Sequence, residues 1–355
     1  MLPMVNACSK TRIRKIVRRF GLIPLRSDSI ASLYRKNAIV RVRTESGTYA
    51  MKPFFRSALF RSSTIDQIKT TANYIQHLMN NGFNFMPKWL ATHSGKLWTL
   101  NQGRPFYVTA WINGRSIDNQ EDFEKLGRAL ASLHLISSRS YPIQGPVFNH
   151  VRLWQNKDRL FRRRMAKANQ TNNWTRGWYE WFGETCNRFS DRSWTELRSP
   201  GIADLLAKER IRPALIHSDI TSQNAIIADD GQLFIIDWDR IKLGSIYAEV
   251  ATALMNTTRF DPVLIHALLK GYEELRPLDP IERTTISSLY RLPREAWYAA
   301  RFPKSPRSRS MIVIMERTWP LRLQAMDLLD EWADQRVGYG FNCSERCLAR
   351  DVAAT

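Results

Sequence analysis

The sequence predicts an α+β protein of two lobes, β-rich over its first third and mainly helical beyond it. Three observations carry this reading. Val40 and Val42 alternate with Arg41, Arg43 and Thr44, the period-two pattern of a half-buried strand. From about Gln120 the apolar residues Phe123, Leu126, Leu130 and Leu133 fall on one helical stripe. A strand-like stretch over residues 214–239 then interrupts the helices. A chain of 355 residues has room for two such lobes and a substantial core.

Taken in chain order, residues 1–24 read as a basic arm ahead of the first strand, with Arg12, Arg14, Lys15, Arg18 and Arg19 clustered in it. Ser27 to Asn37 reads as a loop without glycine. Residues 39–52 read as a β-hairpin. Glu45-Ser46-Gly47 supplies its turn, with glycine where a positive φ is needed, and Pro53 ends the returning strand. Ser63 or Thr64 caps a helix whose apolar residues are Ile65, Ile68, Ala72, Ile75 and Met79, and Gly82 fits its C-terminal end. Strands follow at Trp98–Leu100 and Phe106–Trp111, and Asn113-Gly114 breaks the second. The next helix runs from Gln120 to about Leu135. Residues 151–212 are basic, rich in tryptophan and mostly helical. After Ser245 the chain reads as helices to roughly Arg336, with loops near Pro277–Pro280 and Pro303–Pro306. The expected divisions are 1–24 for the arm, 25–112 for the first lobe, 113–336 for the helical lobe and 337–355 for a tail.

Composition narrows the class. Apolar residues at 44% and charged residues at 24% are ordinary for a globular protein. The longest apolar run, Met311–Met315, is too short to span a bilayer, and no apolar stretch follows the basic N-terminus as a signal peptide requires. A cytoplasmic protein without membrane insertion is expected. Cys8, Cys186, Cys343 and Cys347 form no Cys-x-x-Cys pair and read as free thiols. The net charge is +20. Residues 1–62 hold 14 Lys and Arg against two acidic residues, and residues 151–212 hold 14 against seven. So concentrated a positive field attracts polyanions. No nucleic-acid-binding module is present, so nucleic acid is not an expected partner.

The chemistry lies between His217 and Asp239. The apolar strand Ala214-Leu215-Ile216 delivers His217-Ser218-Asp219 into a polar loop, and Asn224 follows five residues after the Asp. Ala225 to Ala228, the turn Asp229-Asp230-Gly231 and Leu233 to Ile236 form a hairpin that ends on Asp237-Trp238-Asp239. A hairpin brings the start of its first strand beside the end of its second. Asn224 and Asp237 are therefore neighbours, with Asp219 on the loop leading in. Two carboxylates and an amide oxygen suit Mg²⁺, and phosphoryl transfer needs such a metal with a carboxylate to orient the attacking hydroxyl.

His217-x-Asp219-x-x-x-x-Asn224 followed by Ile235-Ile236-Asp237 resembles the catalytic and metal-binding segments of the aminoglycoside phosphotransferase and choline kinase family. That family has the protein-kinase-like fold. Tyr49-Ala50-Met51-Lys52 resembles its strand bearing the ATP-phosphate lysine, Tyr107 to Arg115 its hinge, and Leu126 to His134 its following helix. The Trp111-Ile112-Asn113-Gly114-Arg115 hinge and the Ile-Ile-Asp-Trp-Asp ending are most similar to CotS-type spore coat members. The resemblance covers residues 25 to 335. It implies an enzyme that uses ATP and Mg²⁺, with Asp219 as catalytic base, Asn224 and Asp237 holding the metal, and Lys52 holding ATP phosphates. Backbone groups near Ala110 and Ile112 would face adenine. It also implies an unknown hydroxyl acceptor, recruitment to the spore coat and acidic coat proteins as partners. His217 would brace the loop, and Asp239 would be either a second metal ligand or a helix-capping acid.

Three features depart from the family pattern. Without glycine in the loop 27–37, Arg35 and Lys36 would replace backbone contacts to phosphate. The helix after Lys52 holds only Asp66 as a carboxylate, so Lys52 is expected to lack a Glu partner. Glu249 stands where the family often has Asp. These departures leave a non-catalytic, kinase-like scaffold of the spore coat as the alternative. The basic stretch 151–212 argues for a neutral or anionic acceptor over a cationic one, with Trp174, Trp178 and Trp181 as stacking candidates for a sugar.

Overall fold

The computed structural model describes residues 9–32, 35–54, 64–139, 145–168, 182–302 and 305–335. Its first part is a five-stranded antiparallel sheet in the order β1-β2-β3-β5-β4. The strands are β1 (Arg26–Ser32), β2 (Arg35–Thr44), β3 (Gly47–Pro53), β4 (Thr99–Asn101) and β5 (Arg104–Ala110). The β2–β3 register sets Val40 opposite Met51 and Val42 opposite Tyr49, as the alternating pattern requires.

Two expectations for this part need correction. The stretch expected as a loop, 27–37, is strand β1 and the start of β2, with Ile30 opposite Ile39. Its Ser and Asp residues suit a sheet edge and hide its strand character from a pattern search. Residues 33–34 and the side chains of Arg35 and Lys36 lie outside the described residues. The basic segment is not a detached arm either. Helix α1 (Lys10–Val17), capped by Ser9, buries Ile13, Ile16 and Val17. With Phe20 and Leu22 they pack against Val40, Val42, Met51, Phe106 and Val108 of the sheet. The spacing 13, 16, 17, 20 is an apolar helical stripe hidden beneath the charges. Two of those charges are structural. Arg12 Nε donates to Asn101 Oδ1 at 3.0 Å, and Arg19 donates to Thr99 Oγ1 at 2.8 Å.

Helix α2 (Ile65–Asn80) starts in a capping box between Thr64 and Gln67. Asn113-Gly114 does end β5, but Gly114 opens a further strand, β6 (Gly114–Ser116), which pairs with β8 (Ala225–Ala228). Gly114 has φ 155°, and a Cβ there would overlap the Ile227 carbonyl. The three residues from 111 to 113 thus join the first sheet to a second one, β6-β8-β9, with β9 at Leu233–Ile235. β7 (Ala214–Ile216) pairs antiparallel with β10 (Lys242–Gly244).

The remainder is helical: α3 (Gln120–Arg139), α4 (His150–Ala168), α5 (Glu184–Glu196), α6 (Pro200–Ile211), α7 (Ile246–Thr257), α8 (Pro262–Leu275), α9 (Pro280–Arg291), α10 (Arg294–Arg301), α11 (Pro306–Arg317) and α12 (Trp319–Asp334). Trp174, Trp178 and Trp181, the tail 337–355, and Cys8, Cys343 and Cys347 lie outside the described residues. Cys186 is a buried free thiol. No described helix is long and apolar enough to cross a membrane.

Helices α3 and α8 cross through glycine. A Cβ on Gly271 would overlap the Glu124 carbonyl oxygen, and one on Gly127 would overlap the Leu268 carbonyl. Gly271→Ala should therefore destabilise the fold although Ala is the better helix former, lowering the denaturant midpoint. An unchanged midpoint would refute the close crossing. Ile16→Ala should cost about 2–5 kcal/mol by the same measurement, as for other buried aliphatic truncations. A solvated arm would give close to zero.

Candidate active site

The polar loop after β7 turns sharply. Ser218 has φ 65°, a left-handed value uncommon for a non-glycine residue. Its N–H donates to Glu249 Oε1 at 2.6 Å, and its hydroxyl donates to the Arg240 carbonyl at 2.8 Å. Glu249, on α7, also meets His134 Nε2 of α3 at 3.0 Å. His134 Nδ1 lies 2.8 Å from the Tyr272 hydroxyl of α8. One glutamate therefore ties the loop to the two crossing helices. A shorter Asp at this position would have to reach one methylene further.

His217 braces the loop from within. Its Nε2 faces the Ile236 carbonyl at 2.9 Å, and its Nδ1 faces the Asp219 N–H at 3.3 Å. A carbonyl only accepts and an N–H only donates. The ring is therefore the neutral Nε2–H tautomer. Burial lowers its pKa in spite of the nearby acidic groups. The ring packs edge-on against Trp238 with centroids 4.6 Å apart.

The hairpin places Asn224 and Asp237 side by side, since the Ile236 N–H donates to the Asn224 carbonyl at 2.8 Å. Asn224 Nδ2 donates to the Asp219 carbonyl at 2.8 Å, which turns its Oδ1 away from that carbonyl. Asp237 adopts the left-handed conformation at φ 69°. Lys52, on β3, reaches across from the first sheet to put Nζ 2.5 Å from Asp237 Oδ1. The lysine expected to lack a Glu partner pairs instead with a carboxylate of the hairpin. Removal from water pushes the Asp237 carboxyl up, but the Lys52 charge and hydrogen bond outweigh this and hold it below its ordinary value. Removal from water, together with the Asp237 charge, pushes the neighbouring Asp239 up.

Asp219 sits on the open side of the loop with Arg240 Nη1 3.5 Å from its Oδ2. Ala110 and Ile112 lie at the end of β5 and just beyond it. The Ala110 N–H already donates to the Lys88 carbonyl at 2.8 Å, and the Trp111 N–H donates to Thr48 at 3.0 Å. Of the two expected adenine-facing residues, Ala110 can offer only its carbonyl. Arg240 and the bracing role of Glu249 were not foreseen from sequence. The stretch Asp239-Arg240 beside the motif was the available signal for the first. The second rests on a contact between residues 31 positions apart in sequence.

The donors here are carboxylate and amide oxygens, the set that suits Mg²⁺ rather than zinc. The Lys52 ammonium on Asp237 marks a place where negative charge is met by a cation. The residues therefore fit the metal. Among the described residues, no group of three or more His, Cys, Asp and Glu side chains is arranged to hold a metal ion, so the fit here rests on the donors Asp237 and Asn224.

Comparison with known proteins agrees with this fold. Residues 34–281 match the model of the phosphotransferase enzyme family APH, and the chain belongs to that family. It is 25% identical to the homoserine kinase of Xanthobacter autotrophicus over 274 residues, 72% of this chain and 74% of that protein. Its fold matches the aminoglycoside phosphotransferase of Alicyclobacillus acidocaldarius with a TM-score of 0.77 at 15% identity, covering 90% of this chain and 95% of that one. It also matches a spectinomycin phosphotransferase solved with ADP and spectinomycin, with a TM-score of 0.55 at 18% identity, covering 89% and 91%. The fold is the two-lobed, protein-kinase-like one expected from sequence.

The neutral ring of His217 has a consequence for pH. Its folded pKa lies below the ordinary 6.5, so below that pH the unfolded chain binds the extra proton. Its contribution to stability is complete above about pH 6.5 and is lost as pH falls through the lowered folded value. Buried His134, also lowered by burial, acts in the same direction. The unfolding temperature should drop on acidification from neutral pH, and less steeply in His217→Asn, which has no titrating ring. Identical slopes for the two proteins would contradict the assigned tautomer.

Proposed function

We propose that this chain is an MgATP-dependent phosphotransferase that moves the γ-phosphoryl group of ATP to a hydroxyl of a small acceptor. The observation that carries it is the convergence, at the mouth of one hairpin, of Asp219, Asn224, Asp237 and Lys52. The homoserine kinase relative supports a small hydroxyl-bearing acceptor, and the net positive stretch 151–212 favours a neutral or anionic one.

In this reading Asn224 and Asp237 hold Mg²⁺, which when bound neutralises phosphate charge. Asp219 accepts the proton of the acceptor hydroxyl. The acceptor oxygen forms its bond to the γ-phosphorus as the bond to the ADP oxygen breaks, and ADP leaves with the electron pair. Lys52 leaves Asp237 to hold ATP phosphates. The Ile112 N–H and the Ala110 carbonyl face adenine. Arg240 steadies the Asp219 carboxylate, and His217 and Glu249 fix the loop that carries it.

A second reading, a non-catalytic scaffold, is favoured by one observation: Lys52 pairs with Asp237, and the carboxylate at the start of α2, Asp66, pairs with Lys69. The hinge and hairpin endings that resemble spore coat proteins suit it, with exposed Arg14, Lys15 and Arg18 as a surface for acidic coat proteins.

Labelled ATP offered with a panel of hydroxylated metabolites, homoserine among them, separates the readings. Asp219→Asn should reduce transfer at least about 100-fold, the lower range for a lost general base, and leave the unfolding temperature within a few degrees. MgATP at 100 times its Kd should stabilise the wild type by about 2.7 kcal/mol. That gain should shrink in Asp237→Ala. Absence of both transfer and MgATP stabilisation would favour the scaffold.

A further inference from the structure

Near Asp219 lies a group of positive charges that has no carboxylate partner among the described residues. β10 carries Lys242 directly opposite Ile216, the residue before His217, and two positions after Arg240. Lys242 Nζ lies 3.7 Å from the centre of the Phe148 ring. Phe148 packs edge-on against His150, and His150 against Trp154. The Arg294 guanidinium, from α10, lies 4.6 Å over the Trp154 ring. Its Nη atoms contact Thr252 Oγ1, the Ala251 carbonyl and Met255 Sδ, all on α7. Lys157 is one turn along α4 from Trp154. Lys157 acts on Lys242, Arg294 acts on Lys157, and all three charges act on His150, so they form one cluster between β10, α4, α7 and α10.

These groups have no ion-pair partner among the described residues, and the nearby carboxylates are committed elsewhere. Glu249 holds Ser218 and His134, Asp219 faces Arg240, and Glu295 pairs with Arg322. Among the described residues, two buried polar atoms of this cluster, Arg294 Nε and His150 Nδ1, lack a hydrogen-bond partner. Burial is costly for like charges left together. Loss of water contact and mutual repulsion lower His150 to about 3, and burial pulls Lys242 down to about 8 in spite of the Glu249 and Asp219 charges that oppose it. Arg294 is pulled down to about 10, again chiefly by burial. Such a group is relieved by a bound anion.

We infer that this cluster seats an anionic group of the acceptor, a carboxylate or phosphate held by Lys242, Lys157 and Arg294 while the acceptor hydroxyl lies at Asp219. The inference rests on the phosphotransferase reading and gives its acceptor a chemical class: hydroxyl compounds that also bear an anion. An acceptor whose only charge is an ammonium is excluded by the same cations.

The test uses binding, which does not depend on turnover. Glycerate, glycerol 3-phosphate, glycerol and choline are titrated into the full chain by calorimetry, and MgATP is titrated separately. Either anion should bind at least tenfold more tightly than glycerol or choline, and the two anions compared tell carboxylate from phosphate. Lys242→Met should weaken the preferred anion at least tenfold and leave MgATP affinity within twofold. Lys157→Met, at an exposed position, repeats the test should the first variant fold poorly. Equal binding of anions and glycerol, preference for choline, or unchanged anion affinity in both variants would overturn the inference. Loss of MgATP binding with anion selectivity intact would instead count against the phosphotransferase reading alone.

Discussion

The site depends on one problem of polar satisfaction: a fully buried strand must release a charged loop into the open without leaving its backbone groups unpaired. β7 is buried along its whole length, and the next residue but one has a left-handed backbone. A turn of that kind points N–H groups inward, where water cannot reach them. Glu249 receives the Ser218 N–H and His217 receives the Asp219 N–H. The glutamate is itself held by His134, whose other nitrogen meets Tyr272. The position of Asp219 thus traces back to the α3–α8 crossing, which is close because Gly127 and Gly271 let the backbones touch. Helix packing far from the hairpin is in this way part of the geometry of the loop.

What sequence revealed and what it hid divide along physical lines. The 214–239 hairpin was legible because its information is local: apolar runs, an Asp-Gly turn and fixed spacing. The β2–β3 hairpin and the Thr64 cap were legible for the same reason. Strand β1 was not, since Arg-Ser-Asp-Ser at a sheet edge has the composition of a loop and gains its ladder from β2. Helix α1 was masked by its charges, although Ile13, Ile16 and Val17 had helical spacing throughout. The partner of Lys52 and the role of Glu249 were beyond reach. Both are contacts between residues far apart in the chain, and no local pattern encodes them.

The net charge of +20 also changes meaning once the chain is folded. As a linear property it suggested a sticky arm. In the structure Arg12 and Arg19 fasten α1 and the turn after it to β4, and Arg291 is clasped between Glu196 and Asp330. Other cations cover aromatic faces, as Arg322 does with Phe260. Many of the basic residues are therefore structural, and the informative ones are those left without a counter-charge.

Lys52 and Asp237 add a final constraint. They come from different sheets and meet directly, so the same contact that neutralises the hairpin carboxylate also bridges the two lobes. A lysine cannot hold a phosphate and remain 2.5 Å from Asp237 at full strength, since both anions compete for one ammonium. Nucleotide binding in the proposed mode must therefore loosen this bridge, and a divalent cation at Asp237 must replace the charge that Lys52 withdraws. Metal and nucleotide then depend on each other through a single carboxylate. Nucleotide alone would strip Asp237 of its counter-charge, and metal alone would meet a site already neutralised.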